Sequence, residues 1–145
     1  MIHKMLLTSL FAGTLIISGC ASVPMADAEK DATAKTFTVK PGKANIYLYR
    51  DETIAASIKM DVSLDGQPIG QTVYNSFLLA EVNPGNHKIS SEAENTSTVD
   101  ILAEEGKNYY VWQEVKMGVL LARNGLQIVD EETGKKGVLE CRLIK

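Results

Sequence analysis

From Phe37 onward, apolar and polar residues alternate with a period of two through most of the chain. That spacing puts successive side chains on opposite faces of a strand. In residues 57–64, Ile58, Met60, Val62 and Leu64 fall on one face, and Ser57, Lys59, Asp61 and Ser63 on the other. Asp65-Gly66 follows at once, then residues 67–74 as a returning strand. The Asp-Gly pair predicts a hairpin, because a type I′ turn needs positive φ at both central positions. Residues 44–50 (ANIYLYR) predict another strand, with Ile46 and Leu48 on one face and Tyr47 and Tyr49 on the other. Further strands are predicted over 77–82, 87–93, 98–103 and 108–116, with turns at Asn83-Pro84-Gly85-Asn86 and at Glu105-Gly106. Asn124-Gly125 predicts a second hairpin, between strands 119–123 and 126–130. Asp130 can cap a helical turn over 131–136. A last strand over 138–144 would set Leu139, Cys141 and Leu143 on one face. No ten-residue stretch of residues 37–145 carries a helical apolar stripe. About eight or nine short, mainly antiparallel strands predict an all-β fold, a small single-domain β-sandwich over residues 37–145.

The start of the chain has a different pattern. Lys4 is followed by an uncharged apolar run over 5–17, 13 residues long. A bilayer crossing needs about 20 such residues, so the run fits the apolar region of a secretion signal. It ends in Ile17-Ser18-Gly19-Cys20, which resembles the lipobox of bacterial lipoproteins. The resemblance implies a signal peptide over 1–19, cleavage after Gly19 and acylation of Cys20. Ala21 and Ser22 stand where an Asp favours inner-membrane retention. The expected location is therefore the periplasmic face of an outer membrane. Residues 20–36 are small, polar and charged. They are expected to form a lipidated flexible tether with a typical reach of roughly 22 Å.

Composition narrows the chemistry. The formal net charge is −3, which leaves no basic excess to neutralise a phosphate backbone, so no nucleic-acid partner is expected. Two Cys and two His supply neither a disulfide scaffold nor a zinc ligand set. His87 and Cys141 could in principle form a dyad, but Cys141 alternates with leucines and His87 sits beside a turn. Asp130-Glu131-Glu132 lacks the spacing of a calcium loop. Neither a nucleophile elbow nor a phosphate-binding glycine loop occurs. The expectation is a protein with no catalytic residues, no metal and no cofactor. Tyr110 and Trp112 share one face of the strand over 108–116, which makes them the candidate binding patch if that face is open.

The runs NIYLYR, VSLDGQPIG, VNPGNHKI and EEGKNYYVW occur in that order over residues 44–112. This succession resembles the bacterial lipoproteins grouped as domain of unknown function 2846. The strand, Asp-Gly, strand, Pro-Gly-x-His arrangement also looks like small PEGA-type envelope sandwiches. The resemblance implies a compact β-sandwich on a lipid anchor and carries over no activity. The expected role is that of a non-enzymatic envelope module with a protein partner. The alternative is a glycan- or lipid-binding lipoprotein using the aromatic face.

Overall fold

The computed structural model describes residues 23–145. Strand β1 (Ala44–Arg50) is buried along its whole length, because both its aliphatic and its tyrosine faces are covered. It lies in the middle of a five-stranded sheet. It pairs antiparallel with β4 (Ser76–Val82) and parallel with β7 (Asn108–Met117). Strand β8 (Ala122–Val129) extends this sheet beyond β7, and the two-residue β9 (Arg142–Leu143) closes it beyond β4. The second sheet has four strands in the order β3 (Gln67–Thr72), β2 (Met60–Leu64), β5 (Gly85–Glu92), β6 (Thr96–Ala103). Ile46, Leu48, Leu78 and Val111 from one sheet meet Val62, Ile89 and Ile101 from the other in the central core.

The predicted sandwich is present, with nine strands among the described residues. The Asp65-Gly66 hairpin joins β2 to β3, with φ of 51° and 80° at its two residues. The Pro84-Gly85 turn joins β4 to β5, and Gly106 takes φ 79° before β7.

Three expectations fail, each for a physical reason. Of the flexible tether expected over 20–36, the described residues 23–36 are ordered against the domain. Val23 is buried in the central core, and Met25 bridges Ile144 on the open side of β9. Helix α1 (Ala28–Ala34), capped by Asp27, then crosses the outer face of the five-stranded sheet. The small residues that looked unable to build a core are what permit this close approach: Ala26 and Ala34 are both buried.

The strand expected over 138–144 is shortened to β9, because helix α2 (Glu131–Glu140) runs on past the predicted turn. Val138 and Cys141, three apart, face the sheet, while Leu139 points to solvent.

The Asn124-Gly125 pair is not a turn. It lies inside β8, where Gly125 faces Glu114. The Asn124 N–H donates to Asn95 Oδ1, and Asn95 Nδ2 donates to the Asn124 carbonyl, both at 2.8 Å. This tertiary pairing straightens the dipeptide. The reversal moves to residues 118–121, where Gly118 N–H donates to the Leu121 carbonyl.

Candidate functional site

The tyrosine face of the five-stranded sheet is the first place to look for a binding surface. Tyr47 and Tyr110 stack there with ring centroids 5.4 Å apart, flanked by Phe37 and Phe77. Helices α1 and α2 lie over these rings. Tyr47 Oη donates to the Ala34 carbonyl at 2.9 Å. Gly134 and Gly137, three apart on α2, sit directly against Tyr110 and Tyr49. Tyr110 is only 1% exposed, and Trp112 is half-buried with Nε1 donating to Asp51 at 3.0 Å. The Tyr110–Trp112 patch expected from the alternation is therefore not a surface. Its residues do share a face, but α2 covers Tyr110 and Asp51 takes the indole N–H. Burial pushes the hydroxyls of Tyr47 and Tyr49 up to about 12.

The structure does not bring His87 and Cys141 together. Cys141 follows α2 on the helical side of the five-stranded sheet, and His87 lies on β5 in the other sheet. Burial pushes the Cys141 thiol up to about 12, so little thiolate forms near neutral pH. His87 is engaged at both ring nitrogens: Nδ1 lies 2.7 Å from Asp65 Oδ2, and Nε2 lies 2.7 Å from the Asn83 carbonyl. Partial burial opposes its protonation, but the bonds to Asp65 and Asn83 outweigh it and the pKa is raised.

A raised folded pKa makes this contribution complete below the unfolded value, about 6.5 for His. It fades as pH rises through the folded value. His87→Ala is accordingly expected to cost more stability at pH 5.5 than at pH 8.5. Urea midpoints at the two pH values check this, and an equal loss at both would contradict it.

Asp130 caps α2: its carboxylate accepts the Thr133 N–H at 2.9 Å, which holds its pKa below the usual carboxylate range. The acidic run Asp130-Glu131-Glu132 is thus the start of a helix, where negative charge is favoured.

Two features that the alternation did not signal stand out. The first is a buried polar cluster at the Arg50 end of the sandwich. The Arg50 guanidinium is fully buried and donates to the carbonyls of Ala55 at 2.5 Å and Ile58 at 2.6 Å. Beside it, Thr72 Oγ1 donates to Gln113 Oε1 at 2.5 Å, and Gln113 Nε2 donates to Ser91 Oγ at 2.6 Å. Burial lowers the Arg50 pKa.

The second is the reversal between β7 and β8. Met117, Val119, Leu120 and Leu121 are 75%, 91%, 87% and 62% exposed. The Glu94 carboxylate reaches into this apex and accepts the N–H groups of Val119, Leu120 and Leu121 at 2.8, 2.6 and 3.1 Å. Those bonds, led by that from Leu120, hold its pKa below the usual range. A Cβ at Gly118 would lie within 1.6 Å of Glu94 Oε2, so the glycine gives the carboxylate room. A sequence signal for the apex existed in the run MGVLL, but the period of two read it as the start of a strand.

A groove of about 630 Å³ opens beside α1, between Thr33, Lys30, Leu79 and Glu81. Lys40 and Glu81 pair across part of it at 3.1 Å. Among the described residues, no three His, Cys, Asp or Glu side chains are grouped so as to hold a metal ion. No helix there is long and apolar enough to cross a membrane.

Residues 40–126 match the family model described as protein of unknown function (DUF2846). The chain belongs to this family. An uncharacterized protein of Haemophilus influenzae is 39% identical to it over 137 residues, covering 93% of this chain and 82% of the relative. In this DUF2846 chain the matched segment runs from just before β1 into β8. It therefore contains Arg50 and the β7–β8 apex, while α1 and α2 lie outside it. Ile17, Ser18, Gly19 and Cys20 lie outside the described residues.

Proposed function

We propose that this DUF2846 protein is a lipid-anchored, non-enzymatic module of the bacterial envelope. Acylated Cys20 holds it at the periplasmic face of the outer membrane, and the β7–β8 apex engages another envelope component. The anchor reading is supported by the Ile17-Ser18-Gly19-Cys20 motif at the end of a signal-length apolar run. The observation that carries the engagement reading is the apex itself, four aliphatic side chains held out in water by Glu94. An apolar cluster exposed in this way is a mark of an interaction site. Only Ala21 and Ser22 separate Cys20 from buried Val23. Three peptide links span at most about 10 Å, so the anchored domain rests on the bilayer rather than drifting at the end of a tether.

Metabolic labelling with radioactive palmitate, followed by membrane fractionation, tests the anchor. The expected result is labelled protein in the outer-membrane fraction and loss of label with Cys20→Ala. Wild-type chain without label, or label that survives Cys20→Ala, would overturn the reading.

A further inference from the structure

We propose that the β7–β8 apex inserts into the interface of a lipid bilayer. The proposal deepens the engagement reading above and names the component engaged.

The side chains come first. Residues 117–121 present Met, Val and two Leu around one glycine, with no aromatic and no polar side chain. Protein-binding hot spots favour Trp, Tyr and Arg, and Leu and Val are under-represented among them. A purely aliphatic tip is what hydrocarbon accepts at little cost.

The backbone comes second. Bringing a loop to an apolar phase costs less where its N–H groups are already paired. Here the Gly118 N–H goes to the Leu121 carbonyl, and the N–H groups of Val119, Leu120 and Leu121 go to Glu94. All four donors of the reversal are satisfied before any contact is made.

The collar comes third. Lys116 and Arg123 face each other across the hairpin, one pair below Met117 and Ala122. Each has an acid at hand: Lys116 pairs with Glu114 at 3.2 Å, and the charge of Arg123 stabilises the Glu94 carboxylate. Long cationic side chains just below an apolar tip can extend their heads to phosphate level while their stems lie in the apolar zone.

The geometry adds a consequence. Residues 23–26 run along the outer side of β9, while the apex extends beyond the Arg50 end of β1 at the other side of the sheet. Strand rise and spacing put Val23 and the apex roughly 30 Å apart, at opposite corners of the molecule. A domain anchored at Cys20 and inserted at its apex therefore lies along the bilayer, touching it at two corners. The anchor keeps the apex at high local concentration near lipid, so a weak insertion suffices.

The test places an environment-sensitive nitrobenzoxadiazole label on Val119→Cys in the full acylated chain. That chain is reconstituted in vesicles of phosphatidylethanolamine and phosphatidylglycerol, with or without spin-labelled lipid. Cys141 is buried and Cys20 blocked by acylation, and the unsubstituted chain is the labelling control. The mass of the N-terminal peptide reads acylation separately, so failure of the anchor and failure of insertion register on different observables. The expected result is blue-shifted emission quenched by the spin-labelled lipid, both lost when Leu120→Asp is added. Emission at the wavelength of a water-exposed label, without quenching, would overturn the proposal. So would a blue shift without lipid quenching, which would mean that protein covers the apex. Quenching that survives Leu120→Asp would overturn it as well. Because Leu120 is almost fully exposed, its replacement leaves the core intact, and a thermal melt of the variant verifies that.

Discussion

Arg50→Met is expected to lower stability by about 1–3 kcal/mol, with the melting temperature falling by roughly 4–12 °C. The guanidinium lies at 0% exposure with two short bonds to the Ala55 and Ile58 carbonyls and a longer one, 3.4 Å, to that of Thr72. Among the described residues no carboxylate forms an ion pair with it, and the charge of Glu52 only partly offsets its burial. Its charge is instead spread over backbone dipoles that cannot be removed along with it. Methionine keeps most of the stem's volume but leaves the half-buried Ile58 carbonyl without its donor, at about 1–3 kcal/mol, while the Ala55 carbonyl still accepts the Ile58 N–H at 2.9 Å. Relief of the desolvated charge offsets part of this.

The damage should be local as well as global. Residues 51–58 carry no regular strand or helix and are held by these bonds together with those of Asp51 to Trp112 and Ala56 to Tyr74, so Arg50→Met should speed proteolysis within them. Arg50→Lys should recover only part of the loss, because one ammonium cannot reproduce a planar fork that donates on two sides. Urea unfolding and limited proteolysis of the three proteins check this. A methionine variant as stable as the parent would show that the carbonyls find other donors.

Gly134→Ala and Gly137→Ala are the second pair of large effects, and they run against helix propensity. In an exposed helix, replacing Gly with Ala stabilises by roughly 1 kcal/mol. Here an added methyl at Gly134 would fall 2.2 Å from the Tyr110 ring, and one at Gly137 would fall 2.1 Å from the Tyr49 ring. Neither ring can retreat, because both belong to central strands of the five-stranded sheet and are buried. Helix α2 must lift instead. Overpacking of this kind costs about 1–3 kcal/mol, enough to outweigh the propensity gain. Each variant is expected to lose a net of up to about 2 kcal/mol. The lift should also raise the solvent exposure of Tyr110, read by its accessibility to iodination. A gain in stability for either variant would mean that α2 is not seated on the tyrosines as described.

These glycines also show why part of the fold could be read from sequence and part could not. Alternation in residues 44–50 and 57–64, with Asp-Gly between runs, is local information. It placed β1 and the β2–β3 hairpin, although β2 begins at Met60 and not at residue 57. The purpose of Gly134 and Gly137 appears only once Tyr49 and Tyr110 lie beneath them. Asn124-Gly125 carries a hairpin signature, but a side chain 29 positions away, Asn95, holds it straight. Ala26 and Ala34 looked inert because small residues contribute little core, yet they let residues 23–36 pack closely.

The candidate site followed the same rule. The shared face of Tyr110 and Trp112 was legible from the alternation; the helix covering it was not. The apex was present as an apolar run but was assigned to a strand, because nothing local says that Glu94 will fold it into a turn.

In the function proposed above, the apex and not the aromatic face is what this protein presents to the envelope. The most direct test places a photo-crosslinking amino acid at Leu120, or in a second strain at Trp112, in the full chain in living cells. After irradiation, mass spectrometry should find an adduct with an envelope component at position 120 and none at position 112. An adduct at position 112 with position 120 silent would contradict the account and return the binding surface to the aromatic face.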